Sequence, residues 1–341
     1  MALPPVLRSL LTAPGPSGYE TAPSIAWRDA AGEFAEVTAD VVGSSFARVK
    51  GSGDGPLLAL VGHIDDNGFL WFGDIGGWDP QILVGQRVEL ITREGPVPGI
   101  VGKKPIHLLK DEERKKVPEL KDLHIDIGAK DADDARSRVR IGDVAVIAGE
   151  PLELPNDRVA SRSMDNRLGA FVVLEAARLI AEAGGAPGDV VAVAAAQEEI
   201  TFAGARTSAY ALAPQVAIVV DVTFATDQPG VDEKQEGKHE FGSGPVITRG
   251  STIHPAVFEL LYEAAESRDI PFTATASGRY TGTDADAIHL SRAGVPTGVV
   301  SVPLRYMHSP VELVQLDDVH NAAKLIAAFA QGLGPGTSFE R

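Results

Sequence analysis

With 341 residues the chain has room for one large domain and a smaller one, and a 44% hydrophobic content can fill a sizeable core. It contains no cysteine, which excludes disulfides, thiolate metal ligands and a cysteine nucleophile, and which is compatible with a reducing compartment. Its 31 basic and 47 acidic residues leave a formal net charge of −16, a balance that disfavours nucleic acid and anionic membranes as partners.

The first twenty residues hold only a short apolar run broken by prolines, so no secretory signal is expected there. No stretch approaches the roughly eighteen apolar residues of a membrane span, and a soluble cytoplasmic protein is the expectation. Residues 57–61, 190–196, 216–220 and 298–302 are short, nearly continuous apolar runs of small or β-branched residues. Such runs suit strands of a sheet covered on both faces. Amphipathic spacing predicts a helix over 166–183, ended by Gly184-Gly185, and further helices over 255–267, 285–293 and 317–329. Strands alternating with helices predict an α/β fold with a central mixed sheet flanked by helices. Between about residues 69 and 153 the chain changes character. It becomes rich in Gly and Pro, with short β-like runs at 86–92, 99–101, 123–127 and 144–148 around a charged segment, 110–121. This predicts a small β-rich domain, 69–153, inserted into a discontinuous larger one made of 1–68 and 154–341. The Gly-rich tail from 332 is expected to fray.

Each of the four apolar runs leads into a group that can bind a metal. The first meets Gly62-His63-Ile64-Asp65-Asp66, the second Gln197-Glu198-Glu199, the third Asp221, and the fourth the stretch from Pro303 to His308. Open α/β sheets bind ligands outside the carboxyl ends of their strands. Asp165 joins this group at the start of the longest predicted helix. Two histidines and several carboxylates suit zinc, cobalt or manganese. Two such ions about 3.5–4 Å apart can activate a water and hold the attacked oxygen, while one carboxylate kept off the metals takes the proton. Of the adjacent Glu198 and Glu199, one can bind metal and the other can act as base.

Taken singly, each element has a plainer reading. A histidine at a strand end can be a satisfied polar residue, a Glu pair a solvated surface, and Asp165 a helix N-cap. Asp221 at the end of an apolar strand resists that treatment, because burying an unpaired carboxylate is costly. Asp65 could orient His63 through a hydrogen bond. Gly282-Thr283-Asp284-Ala285 reads as a loop capping a helix through Asp284, and 242–245 as a turn. No Gly-rich phosphate cradle follows a strand and no G-x-S-x-G elbow is present.

Across nearly the whole chain these motifs resemble the cocatalytic metallo-aminopeptidases of the tetrahedral aminopeptidase type, a group that includes glutamyl and deblocking aminopeptidases and so-called cellulase-like relatives. The resemblance is carried by Pro14-Gly15-Pro16-Ser17-Gly18-Tyr19-Glu20, Gly62-His63-Ile64-Asp65, Met164-Asp165-Asn166-Arg167-Leu168-Gly169, Gln197-Glu198-Glu199, Val220-Asp221-Val222-Thr223, Gly282-Thr283-Asp284-Ala285 and Arg305-Tyr306-Met307-His308-Ser309-Pro310. It implies a zinc-aminopeptidase-like catalytic domain and two divalent metal ions per subunit, zinc or cobalt foremost, with manganese as a further option. His63 and Asp221 are expected on one ion, Glu199 and His308 on the other, and Asp165 between them. Glu198 is the expected general base, and Asp65 is expected to orient His63. It also implies that the inserted domain is PDZ-like and dimerising, that dimers build a homo-oligomer, up to a tetrahedral dodecamer, and that the substrate is a peptide losing N-terminal residues. Asp66 stands where the family usually has Glu, and Ile200-Thr201-Phe202 where it commonly has a Val-Gly-Leu-like stretch, so the pocket rather than the reaction class is altered. Hydrolysis of N-acylated substrates on the same site is the alternative enzyme reading; a two-metal site suits amides better than glucans. An inactive assembly scaffold is the non-enzyme alternative.

Overall fold

The computed structural model describes residues 2–53, 55–64 and 77–340. Its strands in chain order are β1 (Glu36–Ala39), β2 (Ser45–Val49), β3 (Leu58–His63), β4 (Arg87–Thr92), β5 (Gly95–Lys103), β6 (Leu123–Asp126), β7 (Val144–Ile147), β8 (Leu152–Leu154), β9 (Arg158–Ser161), β10 (Val190–Ala195), β11 (Val216–Phe224), β12 (Val246–Gly250), β13 (Thr273–Ser277), β14 (Thr297–Arg305) and β15 (Glu312–Gln315). Two sheets form among them. The large one runs β1-β2-β10-β3-β11-β14-β15-β9-β8, with β12 and β13 branching from β14. It is mixed: β10, β3, β11 and β14 are mutually parallel neighbours, and antiparallel strands flank them on both sides. These four are the strands expected from the apolar runs. Their residues are buried almost throughout because helices cover them.

The helix Met164–Glu182 packs along β3, β10 and β11, and the C-terminal helix Leu316–Gly332 packs against it. Thirteen residues of the first and ten of the second are buried. The helix Pro255–Ser267 forms over the expected range, started by a proline in its first turn, where the missing N–H costs nothing. The helix expected over 285–293 is only one turn long, Ala285–Ile288. Arg292 adopts a left-handed conformation and Gly294 a positive φ, which turn the chain back into β14. The expected strand 216–220 runs on to Phe224, paired residue by residue with β14 as far as Leu304. Asp221 therefore lies within a strand rather than after one.

The second sheet, β6-β5-β4-β7, is antiparallel throughout. It has a core of its own, built from Leu83, Val88, Leu90, Val101, Leu123, Ala145 and Ile147. The charged stretch 110–121 carries two short 3-10 turns beside this sheet, Glu113–Lys115 and Leu120–Asp122. From Leu152 the chain is back in the large sheet, as β8. Among the described residues no helix is long and apolar enough to cross a membrane.

Helix Met164–Glu182 sits so close to β3 and β11 that two glycines are required. A Cβ on Gly62 would lie 2.3 Å from the backbone carbon of Gly169, and one on Gly169 would lie 2.7 Å from the Val220 carbonyl oxygen of β11 and 2.5 Å from the Asn166 side chain. Gly62 immediately precedes His63, so this contact sets how far the histidine stands from Asp165. Gly62→Ala is expected to lower the free energy of unfolding by about 2–3 kcal/mol through overpacking. A denaturant midpoint unchanged from wild type would contradict this close approach.

Candidate active site

The parallel strands deliver the candidate ligands to one edge. His63 is the last residue of β3 and pairs with Ala195, the last of β10. Just beyond β10, Gln197 takes a left-handed conformation and starts a one-turn helix, Glu198–Thr201. The adjacent acids therefore leave a helical turn rather than a strand junction. β11 supplies Asp221, and His308 follows β14 after a left-handed Tyr306. Asp165 comes in from the start of its helix.

These groups meet. One carboxylate oxygen of Asp165 is 3.3 Å from His63 Nε2, and the other is 3.1 Å from His308 Nε2. His63 Nε2 also lies 3.5 Å from Glu198 and 3.9 Å from Asp221. Ligand atoms of His63, Asp165 and Glu199 lie within 4.8 Å of one another, as do those of His63, Glu198 and Asp221. Glu198 thus stands as close to the cluster as the other acids. Asp65 and Asp66 lie outside the described residues. His308 Nδ1 donates to the carbonyl of Gly77 at 3.0 Å, which leaves Nε2 as the nitrogen facing the cluster.

Burial dominates the electrostatics. It pushes Glu198 up to about 10; His63 opposes this, while Asp221, Asp284 and Glu199 add to it. Burial likewise pushes Asp221 up to about 8, with Asp165 adding. For Asp165 burial works in the same direction, but hydrogen bonds with His308 and His63 outweigh it and hold this carboxyl well below its ordinary range. The hydrogen bond to Asp165 raises His308 to about 9. So many acids gathered out of water are stable as carboxylates only beside positive charge. A donor set of imidazole and carboxylate groups is what divalent zinc, cobalt or manganese takes, so the residues fit a metal centre.

Supporting contacts explain several motif residues. Asn166 Nδ2 donates to the carbonyl of Val220 at 2.7 Å, and its Oδ1 accepts from Gly169 N at 2.8 Å, pinning the start of the helix beside Asp221. Arg167, fully buried, donates to the carbonyls of Leu10 at 2.6 Å and Gly15 at 3.3 Å, tying the N-terminal segment to the same turn. Glu20 accepts from Gln197 N at 3.0 Å and so holds the loop that carries Glu198.

Two acids have roles that the sequence did not reveal. Asp284 does not cap the helix after it; the Thr283 hydroxyl accepts from Ala285 N instead, while Asp284 is buried near enough to raise Glu198 and Asp221. The motif Gly282-Thr283-Asp284-Ala285 was the available signal. Glu312 on β15 was missed altogether. Its two oxygens accept from Asp165 N at 3.1 Å and from His308 N at 2.8 Å, so one buried carboxylate holds the backbone of two candidate ligands. An acid opening the short strand Glu-Leu-Val-Gln was its only trace.

A His–carboxylate cluster at the carboxyl edge of a mixed α/β sheet defines a candidate metal-dependent hydrolase. The chain belongs to the M42 glutamyl aminopeptidase family, whose model matches residues 57–325. It is 35% identical to the lysyl aminopeptidase of Pyrococcus furiosus over 346 residues, 97% of each sequence. It superposes on the crystal structure of a TET aminopeptidase from a marine-sediment Thaumarchaeota archaeon with a TM-score of 0.91 and 34% identity, over 96% of each chain. The TET1 peptidase of Pyrococcus horikoshii, described as assembling into a tetrahedron or a large octahedral shell, matches with a TM-score of 0.83 and 29% identity over 96% of this chain and 99% of that one. The protein is thus an aminopeptidase, a hydrolase of peptide N-termini, and membership of the family implies divalent metal ions.

Two outcomes are expected. Glu312→Ala strips two ligand-bearing backbone amides of their acceptor and should weaken metal binding about 10–100-fold; unaltered affinity in a metal titration would remove Glu312 from this role. Chelator-treated protein should also lose stability as pH rises from about 5 to 9. Asp221, Glu198 and His308 all have folded-state values above their ordinary ones, so the folded form holds extra protons that it surrenders across that window. Metal-loaded protein should lack this slope in thermal melts across the same pH range.

Proposed function

We propose that the protein is a two-metal aminopeptidase releasing N-terminal residues from short peptides. The observation that carries this reading is the carboxylate of Asp165, which offers one oxygen toward His63 and the other toward His308. His63 and Asp221 would hold one ion, Glu199 and His308 the second, and Asp165 would bridge them. When bound, divalent ions of the zinc, cobalt or manganese type supply Lewis acidity that polarises the scissile carbonyl and acidifies the attacking water.

The chain supplies the proton chemistry. Glu198 would take a proton from the attacking water and return it to the leaving amine, so that one peptide bond and one water become a free amino acid and a shortened peptide. Its neighbours support the choice. Glu198 is buried in the cluster beside His63, and the loop before it is held by Glu20, so its carboxylate is both close and positioned. Asp65, next but one after His63, would orient that histidine. Donation by His308 Nδ1 to Gly77 does the equivalent at the other histidine.

The second sheet, with its separate core, would be a PDZ-like module inserted at about 69–153 and used to pair subunits. By likeness to the Pyrococcus horikoshii peptidase, the dimers would assemble into a homo-oligomer, up to a dodecamer, in the cytoplasm. Glu198→Gln should retain its metal content by elemental analysis and lose turnover by about 10²–10⁴-fold. Wild-type turnover in that variant would sink the assignment.

A further inference from the structure

The cluster lies in a cavity of about 460 Å³, and beyond the cluster its described wall carries no charge. Phe202, Val222, Phe224 and Met307 give it apolar surface, Thr281 and Thr283 give it hydroxyls, and the rest is glycine and one more threonine. There is no lysine or arginine among the described lining residues.

Asp284, Asp286 and Arg305 flank residues of this wall in sequence and do not line the cavity. Asp286 accepts from Thr281 N at 3.0 Å, from the Thr281 hydroxyl at 2.9 Å and from Gly282 N at 2.9 Å, and so is spent in shaping the threonine loop. Asp284 is buried behind that loop and does not line the cavity. The Arg305 guanidinium is paired with Asp227 and packs over the Phe241 ring.

Resting on the active site proposed above, we infer that the enzyme selects neutral, apolar N-terminal residues of the leucine, methionine or phenylalanine kind and rejects acidic ones. The reasoning is a balance of desolvation. A glutamyl side chain lodged against this wall gives up its hydration and finds, beyond the metal cluster itself, no cation on the described wall to replace it. A lysyl side chain finds no carboxylate on the described wall beyond the cluster itself. A leucyl or methionyl side chain gives up only water contacts and gains Phe202, Phe224 and Met307, and such pockets discriminate about 10–200-fold per missing methylene. This selectivity departs from the glutamyl activity in the family's description and from the lysyl activity named for the Pyrococcus furiosus relative.

The test has two arms. In the first, metal-loaded enzyme is given aminoacyl-coumarin amides of Leu, Met, Phe, Ala, Glu and Lys. The best apolar substrate should exceed Glu at least about 100-fold in kcat/KM and Ala at least about tenfold; Glu or Lys within threefold of the best apolar substrate overturns the inference. In the second, free leucine, methionine, glutamate and lysine are titrated calorimetrically into metal-loaded Glu198→Gln. Tighter binding of leucine and methionine supports the inference even if turnover fails, in which case the failure falls on the proposed catalytic roles instead; tighter binding of glutamate or lysine overturns it. Phe224 is 44% exposed at the end of β11, so Phe224→Arg should fold normally. It should raise the Glu-to-Leu ratio of kcat/KM at least about tenfold, and an unchanged ratio counts against the wall as the selector.

Discussion

Everything in this molecule answers to one constraint: several carboxylates gathered out of water at the end of a sheet. Like charges in low dielectric repel strongly, and burial alone drives Glu198 and Asp221 toward their neutral forms. Such a cluster survives selection for stability only if it serves a function and only if the scaffold prevents it from relaxing. The scaffold does this with backbone rather than with bulk. Four parallel strands stop at one edge, a helix is pinned against them by glycine contact, and Asn166 fastens its first turn to the carbonyl beside Asp221. A metal site needs ligands held to fractions of an ångström, and sheet edges with fixed register provide that better than loops.

The same constraint explains the supporting residues. Glu20, Glu312 and Arg167 are buried polar groups that bond to backbone rather than to the cluster. Each converts a turn that could drift into one with a single geometry. Glu312 is the sharpest case, because its two oxygens reach the backbones of two candidate ligands from different elements. The carboxylate couples Asp165 to His308 on a path that does not run through any ion. Two halves of the site are therefore assembled by the fold, and metal would meet a largely formed set of donors.

How much of this could be read in the sequence depended on how local the signal was. The four buried strands announce themselves by unbroken small and β-branched residues, and the polar group after each is visible because it interrupts that pattern. His63 at the end of β3 and His308 beyond β14 follow this rule. Asp221 breaks it: the strand continues past it because Val222 and Phe224 pair with β14, and a single acid inside a strand cannot be distinguished from one at its end by pattern alone. Glu198 and Glu199 turned out to start a helix because Gln197 takes a left-handed conformation, which composition does not foretell. Glu312 and Asp284 were hidden for a deeper reason. Their partners are backbone amides or buried neighbours brought near by the tertiary fold, and no spacing rule reaches across that distance.

The charge on the whole chain and the lack of a cation on the described cavity wall act in one direction. A net charge of −16 sets up a field that attracts the ammonium group of a free N-terminus and repels acidic side chains before contact. Inside the cavity, the wall of Phe202, Val222, Phe224 and Met307 offers nothing to an acid once it arrives. An enzyme built for glutamyl residues would have to overcome both effects with a fixed cation, and the natural place for one is the wall opposite the cluster. Here the described wall is aromatic, aliphatic and hydroxylic. The long-range field would govern how often peptides of each charge arrive, and salt would screen it beyond about 10 Å at 0.1 M ionic strength. The neutral wall would govern which arrivals are cleaved, and that preference should persist in salt because it rests on desolvation rather than on distant charge.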